Sequence, residues 1–397
     1  MRKGLFYTIV AAIGLVAGAC ERAMADDAAP SYPQSVAPVL GTSYSESAPQ
    51  AAAAPCNACN SCNAGQNAGV FDSCHLGNAC GGNACGGNAC GCDNCCDNCC
   101  DCCCPCWCIR AGAMFLGRST DPDHPLVTRA IAGPPPLGQP LPNTDRLDAS
   151  QFAFPVTAGP DIDLIYNGCD YGFEVRYFSI GDFDTTVGPN PTVGATLQFA
   201  TPIRAAANSV SASESSALSS VEINARKVVV PCVLTLLAGY RHIELTEQIF
   251  GTTVLAGTTT DVFSTQAFNR LDGFQIGGEA VLWRPSCRFR VEGIAKVGIF
   301  GDATSNFGSN AVGGGAAATA TATGANTAFM SEWGITGVVQ ITCHLAARIG
   351  YEGLLLDGVG VASQQMSALN PLAGTGTTVN TGTPIYQGGF ADLQYCW

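Results

Sequence analysis

From Trp107 to the last residue, apolar and polar positions alternate with a period of two, the mark of strands whose two faces meet different surroundings. Trp107, Ile109, Ala111, Ala113 and Phe115 share one face opposite Arg110. Ile162, Leu164 and Tyr166 oppose Asp161 and Asp163, and Tyr171, Phe173, Val175 and Tyr177 oppose Glu174 and Arg176. Val221, Ile223 and Ala225 oppose Glu222, Asn224 and Arg226; Leu234, Leu236, Ala238 and Tyr240 oppose Thr235 and Arg241. Phe274, Ile276, Ala280 and Leu282 oppose Gln275 and Glu279, while Val291, Ala295, Val297 and Ile299 oppose Arg290, Glu292 and Lys296. Phe329, Trp333, Ile335, Val339 and Ile341 oppose Glu332, Thr336 and Gln340; Leu345, Ala347, Ile349, Tyr351 and Leu355 oppose Arg348 and Glu352. The chain stops on a tenth such run, with Ala391, Leu393, Tyr395 and Trp397 on one side and Asp392 and Gln394 on the other.

The connections alternate too. Short turns are expected near Asn167–Asp170, Lys227–Cys232, Arg284–Arg288 and Thr342–His344, and long polar loops over 117–160, 182–218, 246–270, 301–327 and 357–386. Short turns at one end and long loops at the other describe an outer-membrane barrel, with the short turns in the periplasm. The expected fold is an all-β, antiparallel transmembrane barrel of about ten strands over 107–397; Thr196–Ile203 and Val262–Phe268 are either two further strands, giving twelve, or loop hairpins projecting outside. A soluble β-sandwich alternates in the same way. Matched opposite charges on the polar faces, Tyr and Trp near strand ends and the alternation of connections favour the barrel. The expected lumen charge network is Glu174, Arg176, Glu222, Arg226, Arg241, Glu279, Arg290, Glu292, Lys296, Glu332, Arg348 and Glu352.

The N-terminus reads as a secretory signal over 1–25: Arg2 and Lys3, an apolar run from Leu5 to Ala19, then Ala23-Met24-Ala25. Lipidation at Cys20 is a weaker alternative, because its box lacks the usual Leu. An Ala/Pro/Ser-rich linker fills 26–55. Net charge is −13 and Lys occurs only at Lys3, Lys227 and Lys296, which excludes nucleic acid as a partner.

Several strands resemble the outer-membrane β-barrel porins of planctomycete bacteria. Gly239-Tyr240-Arg241-His242-Ile243-Glu244-Leu245-Thr246-Glu247 is similar to one strand motif of that family, with His242 in place of an aromatic. Asn269-Arg270-Leu271-Asp272-Gly273-Phe274-Gln275-Ile276-Gly277 is similar to another, and Trp107 to Gly117 is a looser match to the first strand. The resemblance covers about 107–397 and implies an outer-membrane barrel with pore activity.

A low-complexity segment, 56–106, departs from that pattern. From Cys56 to Cys108 it holds 17 of the 23 cysteines, in repeats of Gly-Asn-Ala-Cys-Gly and Asp-Asn-Cys-Cys. Too poor in apolar residues for a core, it can be ordered only by cross-links. The other mature cysteines, Cys169, Cys232, Cys287, Cys343 and Cys396, fall at short turns or the chain end, so all five are expected on the periplasmic rim. Disulfides tying the tract to that rim are the leading reading, since the periplasm is oxidising. Metal binding through the Cys-x-x-Cys spacings and intermolecular cross-linking to other envelope proteins remain open.

Chemistry of the catalytic kind is sparse. His242 shares the outward face of Tyr240, His344 lies in a short turn and His75 in the tract. His124 follows Asp121 and Asp123 in a long loop, where a Pro- and Asp-rich turn accounts for the same residues. No cofactor is implied, and no enzyme is expected. The partners are outer-membrane lipid and, through disulfides, other envelope proteins; nothing fixes the oligomeric state. Two functions follow: a narrow porin for small solutes with the tract tethered at the rim, or a structural envelope protein whose barrel anchors the cross-linked tract.

Overall fold

The first strand of the barrel pairs with the last, so the sheet has no free edge. In a computed structural model, residues 106–129, 145–168, 171–192, 194–286, 288–342 and 344–397 are described. The signal, the linker, the cysteine segment and Cys169, Cys287 and Cys343 lie outside them. The ring contains β1 (Cys106–Arg118), β4 (Thr157–Asn167), β5 (Tyr171–Pro191), β8 (Ser209–Val230), β9 (Leu234–Leu255), β10 (Thr258–Ser286), β11 (Phe289–Val312), β12 (Ala318–Gln340), β13 (Leu345–Asp357) and β16 (Ile385–Cys396). All neighbours are antiparallel and follow chain order, and β1 closes the circle between β16 and β4. Closure removes the exposed edge that would otherwise template aggregation.

The pleat assigns the faces as the alternation requires. Phe274, Ile276, Val297, Ile335 and Ile349 point outwards, with Phe274 72% and Ile349 69% exposed, while Gln275, Lys296, Glu332 and Arg348 on the same strands are buried. Outward apolar positions on β12 run from Phe329 to Val339, a length that matches the roughly 9–11 residues a tilted strand needs to cross a bilayer. Trp107 packs with Tyr166 and Phe173, Trp283 with Phe289, and Tyr395 with Trp397, an aromatic girdle at the end bearing the short turns. Among the described residues no helix is long and apolar enough to cross a membrane; the crossing is made by strands. The fold is an antiparallel transmembrane β-barrel of ten strands.

Two expectations need correction. Neither Thr196–Ile203 nor Val262–Phe268 adds a further strand to the ring. The first stretch contributes to β6 (Ala195–Leu197) and β7 (Ile203–Ala205), which form a separate four-stranded sheet with β2 (Pro125–Arg129) and β3 (Asp145–Asp148). The second is part of β10, a single strand of 29 residues. The segments 246–270 and 301–327, expected as loops, are likewise strand for most of their length. Above the apolar band the outer face meets water, so Ser, Thr and Gln replace Leu and Ile there while small apolar residues still point inwards. β9 and β10 are joined only by Ala256 and Gly257, both at positive φ (48° and 80°), as a tight hairpin with matching twist requires.

β5 and β8 to β12 are therefore tall, whereas β1, β4, β13 and β16 have 11 to 13 residues each. Over this low side two segments fold into the mouth. Residues 119–129 and 145–156 bring Leu126, Val127, Leu147 and Phe152 into an outer apolar core. Residues 358–384 carry a short helix (Ala362–Ala368), and between them β14 (Leu369–Asn370) and β15 (Thr375–Gly376) pair. Val359, Val361, Ala362, Met366 and Leu369 are buried.

Candidate functional site

The lumen is filled in layers. Within the membrane band it holds the twelve residues expected there, together with Arg110, Asp161, Asp163 and Asp392. They face inwards because each lies on the opposite parity from the lipid-facing residues of its strand. Arg176 contacts Asp161 at 2.9 Å, Glu352 at 3.0 Å and Glu332 at 3.2 Å. Arg241, wholly buried, reaches Glu332 at 2.5 Å and donates from Nε to Ser220 at 2.8 Å. Lys296 lies 2.7 Å from Glu222 and 3.2 Å from Glu332. Arg226 bonds Glu174 and, at 2.5 Å, Glu279. Towards the short-turn end, Arg348 bridges Asp392 (3.4 Å) and Glu292 (3.5 Å), and Arg290 pairs with Glu292 at 2.6 Å.

Arg110 on β1 links this network across the lumen, contacting Asp163 on β4 at 3.3 Å and Glu279 on β10 at 3.4 Å. Between Arg110, Asp163, Glu292, Arg348 and Asp392 lies a cavity of about 40 Å³, space for about two or three waters. Asp163 Oδ1, Glu292 Oε2, Arg348 Nε and Asp392 Oδ1 have no hydrogen-bond partner, which suits hydration.

An apolar layer lies above the charged one. Phe178, Leu218, Ile243, Leu271, Phe300, Met330 and Leu354 belong to one buried cluster with Met114, Phe183 and Tyr386. These side chains fill the lumen at this level, in keeping with the rule that small barrels are filled by their side chains.

A second polar layer sits higher, where the outer faces of β8 and β9 carry Ser213, Ser215, Thr246 and Gln248 and so stand clear of lipid. Arg118 binds Asp121 at 2.8 Å and Glu247 at 2.5 Å. Glu247 also accepts from the Ala362 N–H (3.1 Å), and Asp121 accepts from the Ser363 hydroxyl (2.5 Å). Glu214 is fully buried beside them, and neither of its oxygens has a hydrogen-bond partner. Burial pushes the Glu214 carboxyl well above the usual range and Glu247 up to about 7, against the pull of Arg118 in each case. The sequence reading missed this layer by treating its strands as loops. Parity was the available signal: Glu214 is in step with Glu222 on β8, Glu247 with Arg241 on β9, and Arg118 with Arg110 on β1.

The mouth segments are fixed to the wall by polar contacts. Asn269 donates to the Gly360 carbonyl and accepts from its N–H, both at 2.7 Å, and Asn306 donates to Gln365 at 2.6 Å. His124 lies near the mouth, its imidazole held below the usual pKa by burial, with Asp148 and Asp121 opposing that shift. His242 is on the outer wall at the top of the apolar band, 2.7 Å from Asp272, which Tyr240 also contacts. His344 bonds the Cys396 carbonyl at 2.8 Å.

Of the five cysteines expected on the rim, two are described. Cys232 is exposed in the turn between β8 and β9 at φ 61°. Cys396 forms a disulfide with Cys108, its register partner across the β1–β16 seam. Cys108, the last cysteine of the tract, is thus part of the barrel wall.

Three solved structures are similar to the chain at low sequence identity. The outer membrane protease OmpT from Escherichia coli is 8% identical, with a TM-score of 0.39 over 74% of this chain and 97% of that one. The Pseudomonas putida toluene transporter TodX is 8% identical (TM-score 0.26, 73% of this chain and 89% of that one). A FadL homologue of Pseudomonas aeruginosa is 10% identical (TM-score 0.27, 74% and 89%). No curated protein matches the chain. Residues 195–389, from β6 into β16, match the family model described as Putative beta barrel porin-7.

Proposed function

We propose that the protein is a narrow outer-membrane channel for small solutes, captured in a closed conformation, and that it has no catalytic role. The observation that carries this reading is the charged lumen inside the membrane band. Replacing buried ion pairs by well-packed apolar side chains is often neutral or stabilising, by about 1–4 kcal/mol. A barrel serving only as an anchor would gain nothing from seven inward cations and their carboxylates, whereas a solute path needs a polar lining. Opening requires the apolar layer around Phe178 and Phe300, and the mouth segments above it, to move aside.

A second reading, the structural anchor with no transport, draws support from the filled lumen itself. In both readings residues 1–25 are removed on export to the outer membrane of a Gram-negative-type bacterium, and disulfides tether the cysteine tract at the periplasmic rim. With Cys396 held by Cys108, the tether falls to Cys169, Cys232, Cys287 and Cys343.

Single-channel recording in a planar bilayer, before and after reductant, separates the readings. A channel gives brief, small conductance steps, and these become frequent after reduction if the tethered tract restrains opening. Silence in both states would favour the anchor.

A further inference from the structure

In the upper polar layer, Asp121 and Glu247 share one guanidinium, that of Arg118. A third carboxylate, Glu214, is aimed at the pair from β8, and ligand oxygens of the three lie within 4.8 Å of one another. Glu214 is 0% exposed, and both its oxygens lack any hydrogen-bond donor. With all three ionised, the cluster carries two negative charges more than Arg118 neutralises. Burying unpaired charge is costly enough that proteins rarely leave it uncompensated.

We propose that Asp121, Glu214 and Glu247 bind one divalent cation of the hard, oxygen-seeking kind, best matched by calcium, which fastens the mouth segments to the barrel wall. The donor set contains only oxygens, with no imidazole or thiolate to favour zinc or copper. Calcium takes oxygens at about 2.3–2.6 Å, so its ligands can stand as far apart as these oxygens do, and it tolerates irregular geometry. Magnesium demands shorter bonds and a near-regular octahedron. The Ser216 hydroxyl, 3.5 Å from Glu247 and 3.2 Å from the Tyr386 hydroxyl, supplies further oxygen nearby.

The three carboxylates come from three places: the segment after β1, β8 and β9. Asp121 is hydrogen-bonded to Ser363, and Glu247 to the Ala362 N–H, at the start of the short helix. One ion would thus join both mouth segments to the tall wall. The site does not depend on whether the barrel conducts.

The test uses the full chain folded in detergent micelles, stripped with a chelator and titrated with calcium chloride by calorimetry, with thermal unfolding followed in parallel. The expected result is one calcium bound per chain and a Tm raised by about 5 °C at a hundredfold excess over Kd. Glu214→Gln and Asp121→Asn should each abolish both effects, while Glu244→Gln on the outer wall should leave them intact. Absence of calcium binding by the wild type, with Glu214→Gln unfolding at the same temperature or higher, would overturn the proposal and identify Glu214 as a protonated carboxyl. Equal binding by wild type and Glu214→Gln would overturn it as well.

Discussion

The two polar layers of the lumen are built from the same residue types and behave oppositely. In the membrane band every buried cation touches at least one carboxylate, and Glu222, Glu332 and Glu279 are each shared by two or more cations. In the outer layer Arg118 is, among the described residues, the one cation paired with Asp121 and Glu247, and Glu214 beside them has no hydrogen-bond partner. The lower layer is closed upon itself; the upper layer is short of positive charge. The difference teaches that a buried ionic cluster has to be judged by its balance, since burial alone does not distinguish a structural clamp from a site awaiting a counter-charge.

Removing a cation from the balanced layer should have the largest effect. Arg241→Met removes the shortest ion pair of Glu332 and the donor to the Ser220 hydroxyl in a buried space and is expected to cost about 3–5 kcal/mol, read from urea unfolding in lipid vesicles. The double variant Arg241→Met/Glu332→Met should recover much of that loss; if it does not, the layer is held by packing rather than pairing. A smaller change of opposite sign is expected above. Glu214→Met should stabilise the cation-free protein by about 1–3 kcal/mol, because an unpartnered polar group is removed. Destabilisation would erase the contrast between the layers. The least effect belongs to Arg290→Ala at the rim, where the partner is Glu292 on the same strand and the pair is partly hydrated: a change within about 1 kcal/mol by the same assay.

What could be read from the chain follows what each environment demands of a side chain. Lipid outside and charge inside give Phe274/Gln275 or Val297/Lys296 the strongest contrast a pleat can carry, so the ring of ten and its inward charges were legible. Higher up, water lies outside and small residues inside, and the contrast shrinks to pairs such as Ser211/Ala212 or Thr321/Ala322. Strands there resembled loops, and Glu214 and Glu247 went unnoticed with them. The Cys108–Cys396 pairing was hidden for another reason. It depends on the register of the first strand against the last, a relation spanning 288 residues that local pattern does not report, and Cys108 had been counted with the tract.

That seam has a mechanical consequence. Antiparallel strands pulled from one end come apart like a zipper, one ladder rung at a time. Any tension arriving along the chain from residues before Cys108 would enter the barrel at the end of β1, where such peeling begins. The sulfur bridge to Cys396 moves the load past that first rung and spreads it into β16 as well as β1. Both neighbours of the seam must then yield together, which turns peeling into shear and makes the wall strongest at the point where the chain outside it is attached.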